Sequence, residues 1–222
     1  MTDTPNHILD ESTASAAFRW ILPGVLAGLL TIAVFVGAWL WWNTQPPDTD
    51  SADAGFARDM TDHHAQAVEM ALIAFERTED PAIRQIAYDI ATSQQAQIGM
   101  MTGWLNIWDL PSARAGPPMA WMDSDDMAGH DMEEGETISL EDMPGMLARD
   151  QIDGLRTLDP AGMDIEFLLL MIEHHEGGIV MAEAGVDLAE EDVVKRQANA
   201  IIISQSAEVT NMAAMLAERE GS

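Results

Sequence analysis

Phe56-Ala-Arg-Asp-Met60-Thr-Asp62-His63-His64-Ala-Gln-Ala-Val-Glu-Met70-Ala71 decides the fold, because it returns as Phe167-Leu-Leu-Leu-Met171-Ile-Glu173-His174-His175-Glu-Gly-Gly-Ile-Val-Met181-Ala182. The copies are offset by 111 residues, and the offset continues without a gap. Ile90, Ser93, Gln94, Ala96, Met101 and Leu105 fall on Ile201, Ser204, Gln205, Ala207, Met212 and Leu216. A repeat of about fifty residues defines an architecture, not a local motif.

Within each copy the apolar spacing is helical. At about 100° per residue, Phe56, Met60, His63, Ala67, Met70 and Ala74 form one stripe, and Phe167, Met171, His174, Gly178, Met181 and Gly185 form its counterpart. Asp62, Glu69 and Glu173 fall on the opposite, solvated side. Small residues at 67, 74, 178 and 185 leave room around the imidazoles. Four long helices are expected: Gly55 to Arg77; Pro81 to Trp108, opened by Asp80 as N-cap with proline at the first position; Asp164 to Val186; and Glu191 to Glu218. A hairpin with one apolar stripe cannot bury it alone, so the two copies should pack as an all-α four-helix bundle of duplicated hairpins, with an approximate twofold axis relating the histidine pairs.

The rest of the chain adds an anchor and a long connection. Residues 20–42, apolar and uncharged with tryptophans at both ends, are long enough to cross roughly 30 Å of hydrocarbon as a transmembrane anchor. The run lacks a small-residue cleavage site, so it reads as an uncleaved anchor. Residues 1–19 form a short cytoplasmic tail, residues 43–54 a polar tether, and residues 55–222 a domain on the periplasmic or extracellular side of the cell membrane. Residues 109–163 connect the hairpins through acids and methionines, with Met119, Met122, Met127, His130, Met132, Met143 and Met146 among them. A connection this long is either functional or disordered, and residues 144–158 are expected to form a covering helix.

Composition narrows the chemistry. The chain has 222 residues, 47% of them hydrophobic, and a net charge of -28, which disfavours nucleic acid and suits cations. There is no cysteine, so thiolate sites are excluded and any soft metal ligand is methionine. Four of the six histidines lie in the repeated pairs. Imidazole with thioether is a ligand set for copper, Cu(I) or Cu(II). His63, His64, His174 and His175 are the candidate ligands, with Met60, Met70, Met171, Met181, Met101 and Met212, although methionine at helical spacing also serves as core filler. Gln97 in the second helix is replaced by Glu208 in the fourth, a carboxylate expected at a core position, where it would bind metal or orient a histidine. That inequality marks the second half as the primary site.

These residues resemble the bacterial family called domain of unknown function 305, whose hallmark is a duplicated Met-x-x-His-His-x-x-Ala-x-x-Met-Ala core. Met60, His63, His64, Ala67, Met70 and Ala71 match the first copy, and Met171, His174, His175, Gly178, Met181 and Ala182 the second, with glycine replacing alanine. Met143-Pro-Gly-Met146-Leu147 resembles the stretch ahead of the second motif, and Ser204-Gln205-Ser-Ala-Glu208-Val the closing helix; Gln97 departs from the usual glutamate. The resemblance covers Gly55 to Leu216. It implies a ferritin-like four-helix fold outside the cytoplasm, with copper binding or tolerance in some members.

The expectation is therefore a membrane-anchored, non-enzymatic metal-binding protein that sequesters or delivers copper. A ferritin-like di-iron or di-manganese oxidoreductase would need several inward glutamates and Glu-x-x-His, which the inner stripe does not offer. The remaining alternative is an interaction module, as accessory subunit of a membrane complex or as a homo-oligomer.

Overall fold

The computed structural model describes residues 11–43, 45–122 and 138–220, and all regular structure among them is helical. The chain divides into two compact units, residues 1–46 and 47–222. The first contains helix α1 (Glu11–Asn43), with Pro23 inside it. Its segment Pro23–Trp41 is long and apolar enough to cross a membrane. Val25, Leu30, Phe35, Trp39 and Trp41 are all exposed.

The second unit holds α2 (Ala52–Arg77), α3 (Pro81–Ile107), α4 (Arg149–Leu155), α5 (Pro160–Leu188) and α6 (Asp192–Glu220). Hairpins α2–α3 and α5–α6 pack against each other through α2 and α5. Each helix start has a chemical cause. Ser51 accepts from the Ala54 amide to cap α2, and Asp80 accepts from Ala82 ahead of Pro81. Asp159 accepts from Gly162 ahead of Pro160. Such caps contribute about 1 kcal/mol each. At α6 the carboxylate comes from another helix: buried Asp53 of α2 accepts from the amides of Glu190 and Glu191.

Three boundaries differ from the sequence expectation. α2 begins at Ala52, before Gly55, because Ser51 supplies the cap. α5 begins at Pro160 rather than Asp164, through the same Asp-Pro signal that opens α3. The covering segment is a 3-10 turn (Leu140–Asp142), non-helical residues 143–148 and the short α4, rather than one helix over residues 144–158.

The connection is tied down at both described ends. Buried Asp59 of α2 accepts from the Met119 amide at 2.7 Å and from the Trp121 indole at 2.9 Å, and pairs with Arg114. Burial raises the Asp59 pKa, and these donors and Arg114 oppose the rise. Phe56 meets Trp121 edge-to-face, with ring centroids 5.9 Å apart. Asp62 and Glu69, expected on the solvated side, are partly exposed and ion-paired there: Asp62 with Arg114, and Glu69 with Arg149 and Arg156 on and beside α4. Glu173 is exposed as expected. Met127, His130 and Met132 lie outside the described residues.

Two apolar clusters fill the bundle, one at each end. One contains Met70, Met171 and Met212 with Phe167; the other contains Met60, Met101 and Met181 with Phe56. The 111-residue offset converts one set into the other, which is the approximate twofold relation the duplication requires. The connection's Met119, Met122 and Met143 are buried in the second cluster, as packing.

Candidate metal centre

Helices α2 and α5 place His63, His64, His174 and His175 at 0% exposure. His63 and His174 face each other, ring centroids 3.8 Å apart, while each lies 6.4 and 6.3 Å from its own chain neighbour, His64 and His175. In order of contact the four rings run as a row His64–His63–His174–His175.

Each outer ring ends on a polar group of the helix that follows it. His64 Nε2 meets Gln97 Oε1 at 2.5 Å, and His175 Nε2 meets Glu208 Oε2 at 2.8 Å. His63 Nε2 meets the Pro144 carbonyl at 3.1 Å. All three partners are oxygen acceptors, so in each ring Nε2 carries the proton and donates. In a neutral ring, a proton on one nitrogen leaves the other with a free lone pair. Nδ1 of His63, His64 and His175 is buried and without a hydrogen-bond partner, and so are both nitrogens of His174.

Burial disfavours the charged form of His63, His64 and His174. It pushes His63 down to about 3, aided by His64 and His175, and His64 down to about 4, against the hydrogen bond to Gln97. His174 is pushed well below the usual imidazole range by burial and then by the other three histidines. A neutral imidazole with an unshared lone pair is the form that binds a metal ion.

A short cap covers the row. The Pro144 carbonyl bonds His63, and Gln66 of α2 clamps Leu147 through two bonds: its Nε2 donates to the Leu147 carbonyl at 3.0 Å, and its Oε1 accepts from the Leu147 amide at 2.8 Å. The cap lies directly on α5. A Cβ on Gly177 would come within 2.2 Å of Pro144 backbone, and one on Gly145, at φ 73°, within 2.7 Å of the His174 carbonyl.

The predicted donors divide in a definite way. The four histidines share one interior row. Met60, Met101 and Met181 are fully buried in the cluster at one end of the bundle, and Met70, Met171 and Met212 in the cluster at the other. Glu208 is not a core residue: its side chain is 23% exposed, at the rim, and half-buried Gln97 is its counterpart. The helical stripe puts the buried positions nearer Gln94 and Gln205, both 2% exposed and both overlooked as site residues from sequence. The signal was present, since both occur at the repeat offset and share the face of Ile90 or Ile201. Among the small residues, Gly178 does make room beside an imidazole, that of His63, but Gly185 accommodates Phe56. Among the described residues no three His, Asp or Glu side chains converge as a ready metal triad, so a bound ion would draw on amide or thioether donors as well.

A duplicated helical-hairpin bundle with paired histidines at its centre defines the class of protein. The chain belongs to the family described as domain of unknown function (DUF305), whose model matches residues 53–216. It is similar to a DUF305 protein from Streptomyces coelicolor, with 44% identity, 78% of this chain and 96% of that one covered, and a TM-score of 0.69. It is also similar to a DUF305 fragment from Deinococcus radiodurans, with 30% identity, 78% and 99% covered, and a TM-score of 0.61. CopM in its Cu(II)-bound form shows 26% identity, 76% and 97% covered, and a TM-score of 0.57. No curated protein matches the chain.

Proposed function

We propose that the protein binds copper in the interior of its bundle and holds or hands on the ion as cargo, without catalysing a reaction. One observation carries this reading: the row of four buried imidazoles has five nitrogens without partners. A buried polar atom without a hydrogen bond costs about 1–3 kcal/mol, a cost that metal coordination at these nitrogens would offset. His63, His64, His174 and His175 would hold the ion, and the two methionine triplets offer thioethers suited to Cu(I). Glu208 on His175 is a carboxylate–imidazole pair of the kind that orients and strengthens a metal ligand, while Gln97 on His64 is a weaker acceptor. The second half is therefore the stronger site. The similarity to CopM, which is known in Cu(II)- and Cu(I)-bound forms, supports the choice of metal.

The reading as a carrier, not an enzyme, rests on the carboxylates. A ferritin-like di-metal oxidase needs several facing the ion, whereas among the described residues Glu208 is the carboxylate that meets this row. We further propose that α1 anchors the protein in the membrane with residues 47–222 outside the cytoplasm. The length and exposure of Pro23–Trp41 support this, as does the provisional classing of the Streptomyces relative as secreted.

Elemental analysis of the full chain purified from its native envelope tests the proposal. Copper at one or more equivalents is expected. Protein that is copper-free as isolated and takes up no Cu(I) on titration, yet copurifies with a membrane complex, would favour an interaction module instead.

A further inference from the structure

Gln94 of α3 and Gln205 of α6 are repeat equivalents, each 2% exposed, and neither the oxygen nor the nitrogen of either amide has a partner. Gln205 is set beside His63 of the histidine row. The point where a Cβ on Gly178 would stand is 2.5 Å from Gln205 Oε1 and 2.9 Å from His63 Cε1, so the amide oxygen and the imidazole edge flank the same small space. Gln94 is its repeat equivalent, with Ala67 standing where the second repeat has Gly178. Neither residue caps a helix or ties down the connection; Gln66 and Asp59 do the latter.

Two buried carboxamides with four unsatisfied atoms are costly in an apo protein, and leucine would fill the same positions without that cost. Gln94 and Gln205 thus weaken the empty bundle, Gln205 doing so beside His63. An amide oxygen is a hard donor, mismatched to Cu(I) or Ag(I) and matched to a borderline divalent ion that also takes imidazole.

We propose that Gln94 and Gln205 are ligand-binding residues that supply the oxygen donors of a nitrogen/oxygen site for Cu(II) at the centre of the bundle. The thioether triplets on either side then serve Cu(I), so the two oxidation states occupy different zones of one interior. This rests on metal binding at the histidine row.

The test compares the full chain in detergent with its Gln94→Leu/Gln205→Leu variant and with Gln205→Leu alone. Three readouts are taken: the thermal midpoint of the metal-free protein, the EPR spectrum and affinity for Cu(II), and the affinity for Ag(I). Expected are a raised metal-free midpoint in both variants, a changed EPR spectrum, Cu(II) affinity lower by about tenfold or more in the double variant, and Ag(I) affinity within about threefold of wild type. A lowered midpoint or loss of cooperative unfolding would show that the glutamines are structural and overturn the proposal. An unchanged Cu(II) spectrum and affinity would overturn it too, leaving the amides as water-binding groups. Wild-type protein that binds neither ion would overturn the copper reading itself, and this inference with it.

Discussion

His63 and His64 each remain neutral in the fold at pH values where a free imidazole would be protonated, so their burial links stability to pH. Their folded pKa values, about 3 and about 4, lie below the unfolded value of 6.5. The unfolded chain therefore takes up protons first as the pH falls. The stabilising contribution is complete above about pH 6.5 and is lost progressively down to about pH 4, on the order of a few kcal/mol per histidine. Urea unfolding of metal-free protein between pH 7 and 4 should show falling stability, with a shallower fall in His64→Gln; parallel curves for the two proteins would contradict this. The glycines of α5 give a second prediction at this scale. A methyl on Gly177 meets the Pro144 and Gly145 backbone, whereas one on Gly178 meets first the flexible end of Gln205. Gly177→Ala should cost about 1–3 kcal/mol in urea unfolding and Gly178→Ala less. Equal effects would mean that the cap does not rest on α5 as described.

Among the elements, the cap over residues 143–148 depends on Gln66 more than on its own sequence. Gln66→Ala removes both bonds to Leu147, and hydrogen exchange at the Leu147 amide should accelerate by about tenfold or more while the interior of α3 stays protected. Exchange unchanged at Leu147 would show that another contact holds the cap. The helices themselves were legible because their causes are local: the 3.6-residue spacing of Phe56, Met60, His63 and Met70, the Asp80-Pro81 cap, and the duplication. The Asp159-Pro160 start was equally local, but it was obscured by the Pro-Ala-Gly that reads as linker. The cap, the Asp59 anchor and the Asp53 bridge to α6 were not legible, because each joins residues 60 or more apart through a single side chain that no periodicity marks. For the same reason the histidine row was predicted as a pair of facing motifs, while its glutamines were passed over. Whether Gln94 or Gln97 is the buried one depends on how α3 is rotated against α2, and the sequence pattern places both on the apolar side.

At the scale of the whole molecule, two compact units imply two separable behaviours. The full chain should partition into membranes, and residues 47–222 alone should be soluble, helical by circular dichroism and cooperative in unfolding. A soluble full chain, or a truncated protein without cooperative unfolding, would contradict the division of labour between α1 and the bundle. Within the bundle, burial has collected four imidazoles in the middle and methionine thioethers at each end, and the chain's charge of -28 surrounds this interior with a field that attracts cations. The central claim is that the row of histidines is a metal site and not merely a polar core. It is tested most directly by competitive Cu(II) titration of the full chain beside a variant with His63, His64, His174 and His175 all replaced by glutamine. Submicromolar binding by the wild type and its loss in the folded variant are expected; unchanged affinity in the variant would contradict the account.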